Sequence, residues 1–103
     1  MKRASETITP VLLELGGKDA AVLFQDCDFN QAVAMAMRGT FQNCGQNCIG
    51  LERLIVHEAI YEKFVGTVEP LIRKLVVGPP LLETVDCGAM TMSTAVRFSL
   101  SSY

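Results

Sequence analysis

Two side chains in this 103-residue sequence are of a type and setting that could do chemistry: Glu14, inside the apolar run VLLEL, and Cys48, in FQNCGQNCIG at residues 41–50. A thiolate attacks carbonyl carbon, and a carboxylate can take a proton from water as that water attacks in turn. Cys48 follows a Gly45-Gln46-Asn47 turn, where glycine lets the backbone bend and approach a ligand closely. A thiol presented there is reachable, and nearby backbone N–H groups can face an oxyanion. Each residue also has a plainer explanation. Free cysteine is often a small buried apolar residue. Glu14, flanked by Leu13 and Leu15, could sit on the wet face of an alternating strand. Local pattern leaves both questions open.

The other thiols and the single histidine do not form a recognisable metal motif. Cys44 and Cys48 make one C-x3-C pair without a second pair, and His57 has no companion histidine. Structural zinc sites need more ligands at tighter spacing, so no metal is expected. The amino terminus, MKRASETITP, is charged and then polar, unlike a secretory signal. Nor does any uncharged apolar run approach the ~20 residues that span a bilayer. A soluble, cytoplasmic chain with reduced thiols is the expectation. A net charge of −2 and a pI near 5.3, with no basic cluster, argue against a nucleic-acid partner.

The elements that must position Glu14 and Cys48 follow from periodicity. Val11–Leu15 after Pro10 reads as a short buried strand stopped by Gly16-Gly17, and Ala20–Phe24 as a second strand. Asp28 is a good N-cap for a helix over Phe29–Phe41, whose Phe29, Val33, Ala36, Met37 and Phe41 share one face. Arg53–His57 is a third strand. A second helix is expected over Ala59–Leu75, kinked or stopped early by Pro70, which cannot donate to Gly66. Alternating strands and helices predict an α/β chain, with a partial parallel sheet flanked by helices. Half the residues are hydrophobic, which is rich for this length and hints at faces meant for further structure.

LELGGKDA (residues 13–20) followed by FQNCGQNCIG resembles the two signature segments of the aldehyde dehydrogenase superfamily. VLFQDCDFNQAV and ERLIVHEAIYEKFV are similar to that family's intervening and following segments. The likeness runs from about Thr9 to Met90, and G-Q-N-C-x-G-x-E-R at 45–53 is similar to a branch found in fungi and plants. The resemblance implies oxidation of an aldehyde to a carboxylic acid, with NAD or NADP as hydride acceptor. Cys48 would attack the aldehyde and carry a thiohemiacetal, then a thioester. Its backbone N–H would form part of the oxyanion hole. Glu14 would be the general base for hydrolysis, and burial among leucines would favour the proton affinity that such a base needs. Leu15 and Gly16 would lie beside the nicotinamide. Cys27 and Cys44 would be packing residues.

By the same resemblance, residues 1–10 would be the tail of a nucleotide-binding domain, 11–90 the first part of the catalytic domain, and 91–103 a divergent tail. The family's main nucleotide-binding region, its oxyanion-hole asparagine and its second glutamate have no counterpart here. The chain alone is therefore expected to be inactive, as an incomplete catalytic domain. Partners implied are an aldehyde substrate and, by family, a second copy in a homo-oligomer. The alternative is a non-catalytic remnant that pairs with a full-length relative.

Overall fold

Each α2 residue whose spacing predicts an inward face does turn inward, and this helix organises the rest. The computed structural model describes residues 1–94. In chain order the regular elements are α1 (Lys2–Thr7), β1 (Asp19–Leu23), α2 (Phe29–Phe41), a 3-10 turn (Gln42–Gly45), β2 (Leu51–Val56) and α3 (Glu58–Lys74). The Asp28 carboxylate accepts from the Gln31 N–H at 3.0 Å and so caps α2. Val33 and Ala36 are buried, while Phe29, Met37 and Phe41 are half-buried.

β1 and β2 pair in parallel, running from Asp19 opposite Leu51 to Leu23 opposite Val56, with an irregularity after Asp19. α2 is the crossover between them, so the unit is β-α-β followed by α3. Both helices pack on one side of the sheet. The core consists of Leu23, Val33, Ala36, Phe64 and Val68, with Ala21 and Val56 packed against it. Phe29 meets Phe64 edge to face, with ring centroids 6.5 Å apart. The opposite side is open: Val22 and Ile55, partners in the ladder, are 55% and 54% exposed. A parallel sheet is normally covered on both faces, so this face is unfinished. The radius of gyration is 17.7 Å, against roughly 13 Å for a closed domain of this size.

Four expectations need correction. Val11–Leu15 is not a strand: residues 9–18 carry no regular structure, and Leu12 is 90% exposed. A strand needs a ladder partner for its backbone, and β1 and β2 supply none to this segment. Glu14 is consequently exposed rather than buried among leucines. Of the two outcomes expected at Pro70, a kink or an early stop, the early stop does not occur: α3 runs on to Lys74. Gly66, whose carbonyl loses its helical donor, is exposed and meets nothing within 4 Å at its Cβ position, so water can reach it. Residues 1–10 contain the short α1, closed by a left-handed Ile8 with φ 52°. His57, expected to end the third strand, instead caps α3: its Nδ1 accepts from the Ala59 N–H at 3.2 Å.

Beyond α3, Val77 and Cys87 form an isolated parallel bridge. The Val76 N–H donates to Asp86 Oδ2 at 2.9 Å, and the Val76 carbonyl accepts from the Asp86 and Cys87 N–H groups. The expected divergent tail at 91–103 falls largely on residues 95–103, outside the described residues.

Candidate functional site

Cys48 is presented by a backbone reversal at the end of α2. Three consecutive residues, Asn43 (φ 53°), Cys44 (φ 59°) and Gly45 (φ 74°), take left-handed conformations. Asparagine and glycine tolerate that region; for cysteine it costs about 1–2 kcal/mol. The reversal is held by its own side chains. The Asn43 amide donates to the Gln46 carbonyl at 3.2 Å, and the Asn47 amide donates to the Gln42 carbonyl at 3.0 Å. Cys48 itself is a free, exposed thiol. Among the described residues its backbone N–H has no hydrogen-bond partner.

The turn is clasped from outside by the segment after α3. Gln46 Oε1 accepts from the Thr91 N–H at 2.7 Å, and its Nε2 makes a long contact to the Ala89 carbonyl at 3.5 Å. The Gly88 N–H donates to Cys44 Sγ at 3.0 Å. Cys44, expected only to pack, is thus tied to a segment 44 residues away.

The Glu14 segment reaches the same place through its backbone. A Cβ at Gly17 would collide with the Cys48 carbonyl oxygen, and would lie 2.6 Å from Asp19 Oδ1. Two residues of β2 fasten this contact. Lys18 pairs with Glu52, and Arg53 Nε donates to the Lys18 carbonyl at 3.0 Å. The pair is exposed and contributes little by itself; the Arg53 bond fixes backbone. Gly39 allows α2 to approach β2, since a side chain there would meet Leu51 Cδ1 at 2.6 Å.

The structure therefore brings the LELGGK and GQNC segments into contact at Gly17 and Cys48. It does not join the two candidate side chains. Glu14 and Cys48 are both exposed, and among the described residues no hydrogen bond links them. Leu15 is 72% exposed, and nothing lies within 4 Å of a Cβ placed on Gly16, so this edge is open. No local pattern marks Gln46, Lys18, Glu52, Arg53 or Gly88 as supports of the turn, because each acts across a long sequence separation. Among the described residues no helix is long and apolar enough to cross a membrane.

The sequence matches the profile of the Aldehyde dehydrogenase family over residues 1–101. It is 45% identical over 85 residues to the human cytosolic 10-formyltetrahydrofolate dehydrogenase, covering 82% of this chain and 9% of that protein. It is 42% identical over 80 residues to 2-hydroxymuconic semialdehyde dehydrogenase of Pseudomonas sp. (strain CF600), covering 78% of the chain and 16% of the relative. Among solved structures, the NAD+ complex of aldehyde dehydrogenase from Bacillus cereus superposes with a TM-score of 0.87 at 28% identity, covering 97% of this chain and 20% of that one. The chain thus spans a fifth or less of the length of these relatives.

Proposed function

The chain belongs to the aldehyde dehydrogenase family, and on that premise we propose that Cys48 and Glu14 are the nucleophile and general base of NAD(P)-dependent aldehyde oxidation. The observation that carries this reading is the contact of the Gly17 backbone with the Cys48 carbonyl. It joins the two motif segments in a chain that covers only part of its relatives. The Cys48 thiolate adds to the aldehyde carbonyl and gives a tetrahedral thiohemiacetal. Its own backbone N–H, without a partner among the described residues, is available to the oxyanion. A nicotinamide cofactor, when bound, supplies the acceptor for the hydride that leaves this carbon. The thioester left on Cys48 is then hydrolysed: Glu14 takes a proton from water, the hydroxide adds to the carbonyl, and the thiolate departs with release of the acid.

The exposed Leu15 and the open space at Gly16 fit a flat ring approaching this edge. A relative was solved as an NAD+ complex, which favours the same cofactor class here. Free thiols at all four cysteines suit a reducing, cytoplasm-like compartment. A second reading, a non-catalytic chain that docks on a relative, is favoured by the bare sheet face at Val22 and Ile55.

An activated aryl ester separates the two readings, because it acylates a thiolate with no hydride acceptor. The catalytic reading expects stoichiometric acylation at Cys48, none in Cys48→Ser, and an acyl group that persists longer in Glu14→Gln. Indiscriminate acylation across Cys27, Cys44 and Cys48 supports the docking reading instead.

A further inference from the structure

Cys44 and Cys87 belong to no part of the reaction described above, yet the fold brings them together. The Gly88 N–H donates to Cys44 Sγ at 3.0 Å, which sets that sulfur over the peptide immediately following Cys87. Cys87 is buried, and both thiols are free. Burial raises the Cys87 pKa most, and the neighbouring Cys44 and Asp86 raise it further.

Both backbones are pinned. The Cys87 N–H donates to the Val76 carbonyl at 3.1 Å, and its carbonyl accepts from the Gly78 N–H at 3.0 Å. Cys44 is left-handed between Asn43 and Gly45, inside the reversal held by the Asn43 and Asn47 amides. Gln46 binds the same neighbouring segment through Thr91, so the two strips of chain are already aligned. Two thiols held in this way see each other at high effective concentration.

We propose that Cys44 and Cys87 are a reversible redox pair, whose disulfide staples the Cys48 turn to the segment at 87–91. The oxidant is a low-molecular-weight disulfide of the glutathione class. The half-buried Cys44 thiolate attacks it, forming a mixed disulfide and expelling one small thiol. Cys87 then loses its proton and attacks Cys44 Sγ, expelling the second. Two protein thiols are oxidised and one small disulfide is reduced. The pairing has a protective consequence. Cys44 stands four residues before Cys48, close enough in sequence to capture that thiol. Cys87 gives Cys44 a preferred partner and leaves Cys48 free. This holds whatever Cys48 does.

The test is equilibration of the whole 103-residue chain in a glutathione redox buffer, with alkylation of remaining thiols and peptide mapping without reduction. The same mixture in concentrated urea is the reference. The proposal expects the Cys44–Cys87 peptide to exceed Cys44–Cys48 by about tenfold or more in native buffer, with Cys48 alkylated. In urea the short Cys44–Cys48 loop should dominate, because closing it costs less entropy. A native distribution that matches the urea distribution, or one led by Cys44–Cys48, overturns the proposal.

Discussion

Gly16 and Gly17 are adjacent in an exposed segment, yet alanine at each should behave differently. At Gly16 an added Cβ meets nothing within 4 Å; at Gly17 it overlaps the Cys48 carbonyl oxygen and lies 2.6 Å from Asp19 Oδ1. The obstacle at Gly17 is backbone, which cannot rotate aside. The segment cannot simply swing away either, because Arg53 holds the Lys18 carbonyl and Asp19 is already in the β1–β2 ladder. Forcing an extra carbon into a packed contact costs typically ~1–3 kcal/mol. Taking ~2 kcal/mol, and a melting shift of roughly 4–8 °C per kcal/mol for a chain of about this size, Gly17→Ala should lower Tm by about 8–16 °C. Gly16→Ala should stay within about 0.5 kcal/mol of the parent, as surface changes commonly do. Thermal unfolding followed by circular dichroism reads both, and alkylation of Cys48 reports whether its turn has moved. Equal melting temperatures for the two variants, with unchanged Cys48 alkylation, would refute the contact between the motifs.

Phe64 is 3% exposed and edge-on to Phe29 at the centre of a small core, so Phe64→Ala should cost about 3–5 kcal/mol and abolish cooperative urea unfolding. Asp28→Ala removes the α2 cap and should cost about 1 kcal/mol, read as a lower urea midpoint. The pKa of Cys87 is raised by burial first and by Cys44 next, so the unfolded chain loses that proton at lower pH than the folded one. The associated stability should be fully present below the ordinary thiol value of about 8.5 and decline above it. Cys87→Ala should flatten that alkaline limb of a stability–pH profile. Finally, the 103-residue chain alone should not reduce NAD with any of a panel of aldehydes, because positioning of the hydride acceptor is worth several kcal/mol or more of barrier; turnover lost on Cys48→Ser would contradict this.

Legibility tracked how local each cause was. α2 could be read to the residue, since its cap at Asp28, its apolar face and the glycine-containing reversal after Phe41 all lie within or beside it. β1 begins one residue and β2 two residues before the expected starts, because ladder pairing rather than side-chain type sets those boundaries. VLLEL misled for a related reason. An apolar run becomes a strand only when another strand accepts its hydrogen bonds, and among the described residues none does so for this one. α1 escaped notice because its six residues bury nothing and so leave no periodic trace. The C-terminal part of the α3 stripe, Leu71 and Ile72, is correctly periodic but uncovered. At the candidate site, Glu14 and Cys48 stand out through the two motifs, not through local physics. Arg53, Gln46 and Gly88 act across long separations and carry no spacing signal.

The proposed roles of Glu14 and Cys48 make one spatial demand: the two side chains must be able to meet across the Gly17–Cys48 contact. It is tested by Glu14→Cys in a chain whose Cys27, Cys44 and Cys87 are serine, treated with a short bis-maleimide in native buffer and in urea. Faster intramolecular bridging of positions 14 and 48 in the folded chain than in the unfolded one is the result the account predicts. Bridging no faster than in urea would mean that the two side chains do not share a site.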